Sequence, residues 1–316
     1  MRVGVVGVGY LGRFHAEKYK AMDGVDLVGV ADIKPERAEK LASRLGVRFF
    51  SDARELLALT DAVSVVVPTE EHFGVAQLFL TGGVHVMLEK PITRTIQEAD
   101  TLIKLAEQNN LVLQVGHLER FNPAVRAVNS LIKRPLFIEA SRISSFPERG
   151  TDVDVVLDMM IHDLDIVLNF VGSLPVSVQA VGAPVVTNHV DVANARLEFE
   201  AGCVANLTAS RISDRRLRKI RIFQKNTCYS IDYGQCRAVV TRPEFFERPG
   251  TTAEELAVPA GDALEEELKS FIESVKSGSA PLVSGEDGRR ALSVALRITA
   301  EIERRLKIWP DIVGTE

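Results

Sequence analysis

The chain opens with Arg2-Val3-Gly4-Val5-Val6-Gly7-Val8-Gly9-Tyr10-Leu11-Gly12. An apolar strand runs into Gly7-x-Gly9-x-x-Gly12, and a helix-like segment follows over residues 13–20. A second apolar run over 25–31 closes on Asp32, twenty positions past Gly12. Strand, glycine loop, helix, strand and acid in that order are what a dinucleotide site needs. Gly7 permits the tight turn, Gly9 lets a pyrophosphate approach the backbone, and Gly12 lets the helix pack close to the strand. The N–H groups at the helix start face the phosphates, where the helix dipole favours anions. A glycine-rich turn without a ligand is the alternative. A carboxylate at Asp32 can accept hydrogen bonds from both ribose hydroxyls and would repel a 2′-phosphate. NAD is therefore the expected cofactor, although Lys34 and Arg37 are cations close by.

Strand and helix patterns alternate through about the first 117 residues. Strands are expected over 2–6, 26–31, 48–50, 62–67, 84–88 and 111–115, with helices over 35–45, 54–59, 72–81 and 96–109. Such alternation predicts a parallel sheet with right-handed crossovers, whose ligand edge is the carboxyl end of the strands. Three segments leave that edge: Val67-Pro68-Thr69-Glu70-Glu71-His72, Leu88-Glu89-Lys90-Pro91, and Gly116-His117-Leu118-Glu119-Arg120-Phe121-Asn122-Pro123. All three place polar groups where a nicotinamide end should lie.

After Pro123 the pattern changes. A helix over 123–133 and a strand over 136–144 precede a loop that enters a helix ending near Gly172. Period-two strands follow over 177–186, 194–199, 203–210, 218–224, 228–232 and 238–241, with terminal helices over 265–276 and 288–306. The expected architecture is α/β. A Rossmann fold with a parallel sheet, residues 1–122, binds NAD. An α+β domain with a large, mostly antiparallel open sheet, residues 123–316, binds substrate and forms oligomers. An open sheet has a face to bury, so a homodimer or homotetramer is expected.

With 316 residues, 46% hydrophobic and 6% aromatic, the composition is that of a soluble globular protein of two domains. A net charge of -5 offers no basic excess for nucleic acid. Cys203, Cys228 and Cys236 lack metal-like spacing and fit a reducing cytosol. The apolar start has glycines through it and no cleavage site after it, so it reads as a strand rather than a signal peptide, and no run reaches membrane-span length.

Asp158 and His162 are four apart and share a helix face, with Asp165 one turn further along. An imidazole beside a carboxylate can be a general base near neutral pH, and it can equally be an ordinary hydrogen-bonded helix histidine. No third ligand at suitable spacing supports a metal. Lys90, between Glu89 and Pro91, could hold a substrate hydroxyl and pass a proton, or be a solvated charge. His72, His117 and Arg120 are softer candidates on the ligand edge. His15, His85 and His189 have no supporting neighbours and read as structural. The basic run from Arg211 to Arg221 reads as a solvated strand end, or as a site for a diphosphate or a partner subunit.

Gly7-x-Gly9-x-x-Gly12, Glu89-Lys90-Pro91 and Asp158-x-x-x-His162-x-x-Asp165 together resemble the Gfo/Idh/MocA oxidoreductase family across essentially the whole chain. The resemblance implies NAD(P), a sugar or polyol substrate, and dimers or tetramers formed through the open sheet. It implies catalytic roles for Lys90, Asp158 and His162. Cofactor contacts are expected from Gly7, Gly9, Tyr10, Leu11, Gly12, Asp32, Pro68, Thr69, His72, Glu89 and Lys90. Substrate contacts are expected from Lys90, His117, Arg120, Asn122, Asp158 and His162, at the junction of the two domains. Met160 departs from the family, many of whose members carry glycine there.

Four stretches are similar to one subgroup, the bacterial UDP-N-acetylglucosamine 3-dehydrogenases. They are Val65-Val66-Val67-Pro68-Thr69-Glu70, residues 115–123, Gly150-Thr151-Asp152-Val153-Asp154-Val155-Val156-Leu157-Asp158, and Ala195-Arg196-Leu197-Glu198-Phe199. That likeness implies a cytoplasmic dehydrogenase that supplies a 3-keto nucleotide sugar for 2,3-diamino-sugar lipid A. A dehydrogenase of a free polyol such as inositol is the second expectation. A cofactor-binding regulator that senses NAD(H) is the third, and a complete Lys90, Asp158 and His162 set speaks against it.

Overall fold

The computed structural model describes residues 1–146, 153–245 and 249–308. Gly150-Thr151-Asp152, the start of one subgroup stretch, lies outside the described residues.

The first unit comprises Met1–Leu118 and Ala263–Arg289. In chain order it holds β1 (Arg2–Val6), α1 (Tyr10–Ala21), β2 (Asp26–Ala31), α2 (Pro35–Leu45), β3 (Arg48–Phe50), β4 (Ala62–Val65), α3 (Thr69–Thr81), β5 (His85–Glu89), α4 (Ile96–Gln108) and β6 (Leu113–Gly116). The six strands pair in parallel in the order β3-β2-β1-β4-β5-β6. That order reverses at β1/β4, the switch point where such sheets bind ligands. Their near-continuous apolar runs follow from burial on both faces: all four residues of β4 and of β6 are buried.

Local signals place the helices. Pro35 opens α2, and Gly46 closes it in the left-handed conformation at φ 65°. Thr95 and Glu98 form a reciprocal capping box at α4.

The second unit comprises Glu119–Asp262 and the chain from Arg290 onward. It holds α5 (Pro123–Asn129), β7 (Phe137–Ile143), α6 (Ile161–Val171), β8 (Ser177–Ala183), β9 (Val192–Glu198), β10 (Val204–Ser210), β11 (Leu217–Gln224), β12 (Thr227–Asp232), β13 (Arg237–Phe245) and β14 (Pro249–Glu255). These eight strands run in the order β14-β13-β12-β11-β7-β10-β9-β8, antiparallel except for the parallel pair β7 and β10. Alternation in β7 and β9 buries Ile138, Ala140, Ala193, Ala195 and Leu197, which share one core with Ile161, Leu164, Val167 and Leu168 of α6.

The chain then forms α7 (Ala263–Ser277) and α8 (Gly285–Leu306). Here the structure corrects the division at residue 122. Leu268, Phe271 and Ile272 of α7 are buried in the core that contains Val3, Tyr19 and Leu27, so this late helix belongs to the first unit. The division falls inside α8, whose residues 285–289 group with the first unit. Three further differences are local. The expected helix over 54–59 is one 3₁₀ turn, Ala53–Leu56. The strand expected to reach residue 186 stops at Ala183, because the Asp191 carboxylate accepts the N–H groups of Val185, Val186 and Thr187 and turns the chain. Strand β14 was not expected at all.

Candidate active site

In the first unit the glycine loop has the geometry its residues dictate. Gly7 has φ +83°, and a Cβ there would lie 2.4 Å from the Val66 carbonyl oxygen. A Cβ on Gly12 would lie 1.8 Å from the Gly7 carbonyl oxygen, so only glycine lets α1 sit this close to the loop. Gly9 is different: nothing lies within 4 Å of where its Cβ would be. The first turn of α1 carries no acidic residue, and Tyr10 and Leu11 are exposed there. An open backbone at a helix start without a competing carboxylate fits a pyrophosphate.

Asp32 stands at the end of β2. Its carboxylate accepts the Val8 N–H at 2.9 Å and the Lys34 N–H at 2.9 Å. Two backbone donors fix its orientation, and each oxygen has a second lone pair to offer a ribose hydroxyl.

Pro68 is the N-cap of α3 and Thr69 its first residue. His72, one turn on, is 1% exposed. Its Nδ1 lies 2.7 Å from the Pro91 carbonyl oxygen and its Nε2 lies 3.0 Å from that of Val67. Burial pushes the imidazole below its usual range, against the pull of the two carbonyls. The neutral ring has one N–H, which can donate to either of these carbonyl oxygens. His72, expected as a cofactor contact, thus links the loop after β4 to the segment holding Lys90. His117 follows β6 and is 1% exposed.

Glu89 ends β5, and its carboxylate has two polar contacts and a close glycine neighbour. His15 Nε2 lies 3.2 Å from Oε1, Oε2 accepts the Lys90 N–H at 3.3 Å, and a Cβ on Gly116 would fall 3.0 Å from the carboxyl carbon. Burial raises the carboxyl, but the His15 contact and the Lys90 charge more than offset it, so it lies below the ordinary range. The sequence shows no supporting neighbour for His15, because its partner is 74 positions away. The signal that could have found it is its place three residues past Gly12, which turns it onto the same buried helix face.

In the second unit, Asp158 lies in a π-helical segment, Val156–Met160, that runs directly into α6, and His162 lies in the first turn of α6. Inserted π turns of this kind are frequent at functional sites. Asp154 caps the segment by accepting the N–H groups of Val156 and Leu157, both at 2.9 Å. Asp158 and His162 are half-buried. The two carboxylates of α6 itself pair with arginines. Asp163 takes a two-bond fork from Arg142 at 3.0 and 3.0 Å, and Asp165 takes one from Arg120 at 2.7 and 3.1 Å. These forks fix the rotation of the helix carrying His162. Met160 is 1% exposed and packs in the second unit's core.

Arg120 and Asn122, expected as substrate contacts, also have structural partners. Arg120 also donates to Asn169. Asn122 is the N-cap of α5: its Oδ1 accepts the Ala124 N–H at 3.1 Å, and its Nδ2 donates to Glu119 and to the Tyr233 carbonyl oxygen. Arg142, not singled out in the sequence, is the centre of this buried network. Besides Asp163 it donates to Glu119 at 3.0 Å and lies over the Tyr233 ring at 5.1 Å. Burial alone would lower Arg142, but Asp163 and Glu119 hold it above its usual range.

The basic run divides in two. Arg211 is fully buried against Asp191 at 2.7 Å and donates to the Val153 carbonyl oxygen at 2.7 Å, so it is structural. Lys219 and Arg221 pair across strands with Asp232 and Glu139, whereas Arg215 is 87% exposed. Among the described residues no helix is long and apolar enough to cross a membrane.

Two family models match this chain. "Oxidoreductase family, NAD-binding Rossmann fold" covers residues 1–117, and "GFO/IDH/MocA C-terminal domain" covers residues 125–227. UDP-N-acetylglucosamine 3-dehydrogenase of Acidithiobacillus ferrooxidans is 40% identical over 97% of this chain and 99% of its own length. A solved structure of that enzyme superposes with a TM-score of 0.93 at 39% identity, covering 96% of this chain and 98% of that one. Myo-inositol 2-dehydrogenase of Thermotoga maritima is 29% identical over 99% of this chain and 100% of its own.

Proposed function

The chain belongs to the Gfo/Idh/MocA family of oxidoreductases, and from that premise we propose that it oxidises the 3-hydroxyl of UDP-N-acetylglucosamine to a ketone with NAD. The observation that carries the reading is the 40% identity, end to end, to an enzyme named for that reaction. Lys90, Asp158 and His162 supply the chemistry it requires.

Bound NAD supplies the hydride acceptor. The backbone of residues 7–12 and the start of α1 hold the pyrophosphate, and Asp32 holds the adenosine ribose, giving NAD preference over NADP. The Lys90 ammonium holds the reacting hydroxyl and stabilises negative charge as it develops on that oxygen. His162 takes the hydroxyl proton as the C3–H electron pair departs, and Asp158 orients the imidazole for it. His117 is retained as a substrate contact. Arg120, Asn122 and His72 hold the elements that present the others.

The product fits transamination toward a 2,3-diamino sugar for lipid A, in the cytoplasm. Assembly into a dimer or tetramer would use the face of the eight-stranded sheet opposite its core, where β9 alternates buried and exposed residues. The test is a panel of nucleotide sugars and free polyols, followed by NADH absorbance with an aminotransferase present to draw off the ketone. UDP-N-acetylglucosamine should give the highest kcat/KM. A higher value for myo-inositol would overturn the substrate assignment.

A further inference from the structure

The buried group next to Lys90 is the Glu89 carboxylate, and its donor from outside the strand is His15. His15 is 1% exposed and the Glu89 side chain 13% exposed. A carboxylate placed so deeply must be hydrogen-bonded or paired to persist as an anion. His15 Nε2, at 3.2 Å from Oε1, meets that need on one side, and the Lys90 N–H, at 3.3 Å from Oε2, uses the other oxygen. Gly116 leaves the space: a Cβ there would stand 3.0 Å from the carboxyl carbon and 3.0 Å from Oε2.

We propose that His15 is a positioning residue for Lys90, acting through the Glu89 carboxylate. The two bonds lie on opposite oxygens, so the orientation of the carboxylate set by His15 decides whether Oε2 can accept the Lys90 N–H. His15 stands on α1, the helix capped by Gly9, whose start is proposed to seat the cofactor's phosphates. The same helix thus sets both the cofactor seat and the backbone that presents Lys90. A histidine that only filled the core would carry no such consequence for Lys90.

The inference rests on the assignment of Lys90 to the reacting hydroxyl, so its test has one arm with turnover and one without. The variants are His15→Ala, His15→Gln and Gly116→Ala, each checked by melting temperature and NAD affinity. Gln places an amide nitrogen close to the position of Nε2 and restores the donor. Gly116→Ala disturbs the carboxylate from the opposite side and leaves His15 intact. In the first arm, His15→Ala and Gly116→Ala should lower kcat by about ten- to a hundredfold, the cost of a small misplacement of a catalytic group, with NAD affinity kept. His15→Gln should recover most of the loss. In the second arm, acetic anhydride labels the lysines, and peptide mass spectrometry reads the rate at Lys90 against the other lysines. That relative rate should change in His15→Ala and return in His15→Gln. A native enzyme without turnover on any hydroxyl substrate would count against the functional reading and leave the labelling arm standing. Native kcat together with native Lys90 labelling in His15→Ala would overturn the role of His15.

Discussion

The Asp32 carboxylate accepts the Val8 N–H at 2.9 Å, tying the end of β2 to the glycine loop. The residue expected to choose the cofactor therefore also shapes the loop that would seat its phosphates. Asp32→Ala should weaken NAD binding about ten- to a hundredfold, the worth of a charge-assisted hydrogen bond, and narrow the preference over NADP. Calorimetry with both cofactors checks this. Tighter NADP than NAD binding by the native protein would contradict it.

Gly9 and Gly12 should separate fold from function. A Cβ on Gly12 meets the Gly7 carbonyl oxygen at 1.8 Å, whereas one on Gly9 meets nothing within 4 Å. Gly12→Ala should cost about 3 kcal/mol or more in stability by overpacking. Gly9→Ala should melt like the native protein and lose cofactor affinity, because its methyl group occupies space meant for the pyrophosphate. Thermal melts with and without NAD read both effects.

Much of this was legible in the sequence. The central strands of the first unit show because burial on both faces makes them largely apolar. Strand β14 left no such trace: Pro249-Gly250-Thr251-Thr252-Ala253-Glu254-Glu255 is held by backbone pairing to β13 at a sheet edge, and its residues 250–255 are exposed. Arg120 and Asn122 were placed correctly beyond a strand end. Their partners, Asp165 and the cap of α5, depend on tertiary geometry that spacing does not encode. Lys90, Asp158 and His162 are proposed from the sequence because each stands in a short motif. His15 was missed because its partner Glu89 is remote in sequence.

Asp191 gives a stability prediction with a sign. Its carboxyl lies well below the ordinary carboxylate range: burial opposes this, but three backbone N–H groups and Arg211 outweigh it. A depressed folded value means that the contribution is complete above the unfolded value of about 4 and is lost as pH falls toward the folded one. Arg211→Met should cost about 3–5 kcal/mol at neutral pH by leaving a buried charge without its partner. The penalty should shrink in acid, as Asp191 of the variant takes up a proton. Urea melts of native and variant protein from pH 7 to pH 3 measure this; a penalty independent of pH would contradict it.

Lys90 and His162 should separate catalysis from binding. Lys90→Met and His162→Ala should keep NAD affinity. His162→Ala should lose about a hundred- to ten-thousandfold in hydride transfer, the usual worth of general acid–base catalysis. Lys90→Met should lose at least as much, because charge stabilisation goes with it, and Asp158→Asn should lose less. Single-turnover kinetics beside calorimetry measure the split. Near-native hydride transfer in His162→Ala would make His117 or Lys90 the base.

The central claim is that a hydride leaves C3 of UDP-N-acetylglucosamine. The direct measurement is mass spectrometry of the reduced cofactor formed from substrate deuterated at C3. The account predicts one deuterium in every NADH produced. NADH carrying only protium would place the oxidised carbon elsewhere and contradict it.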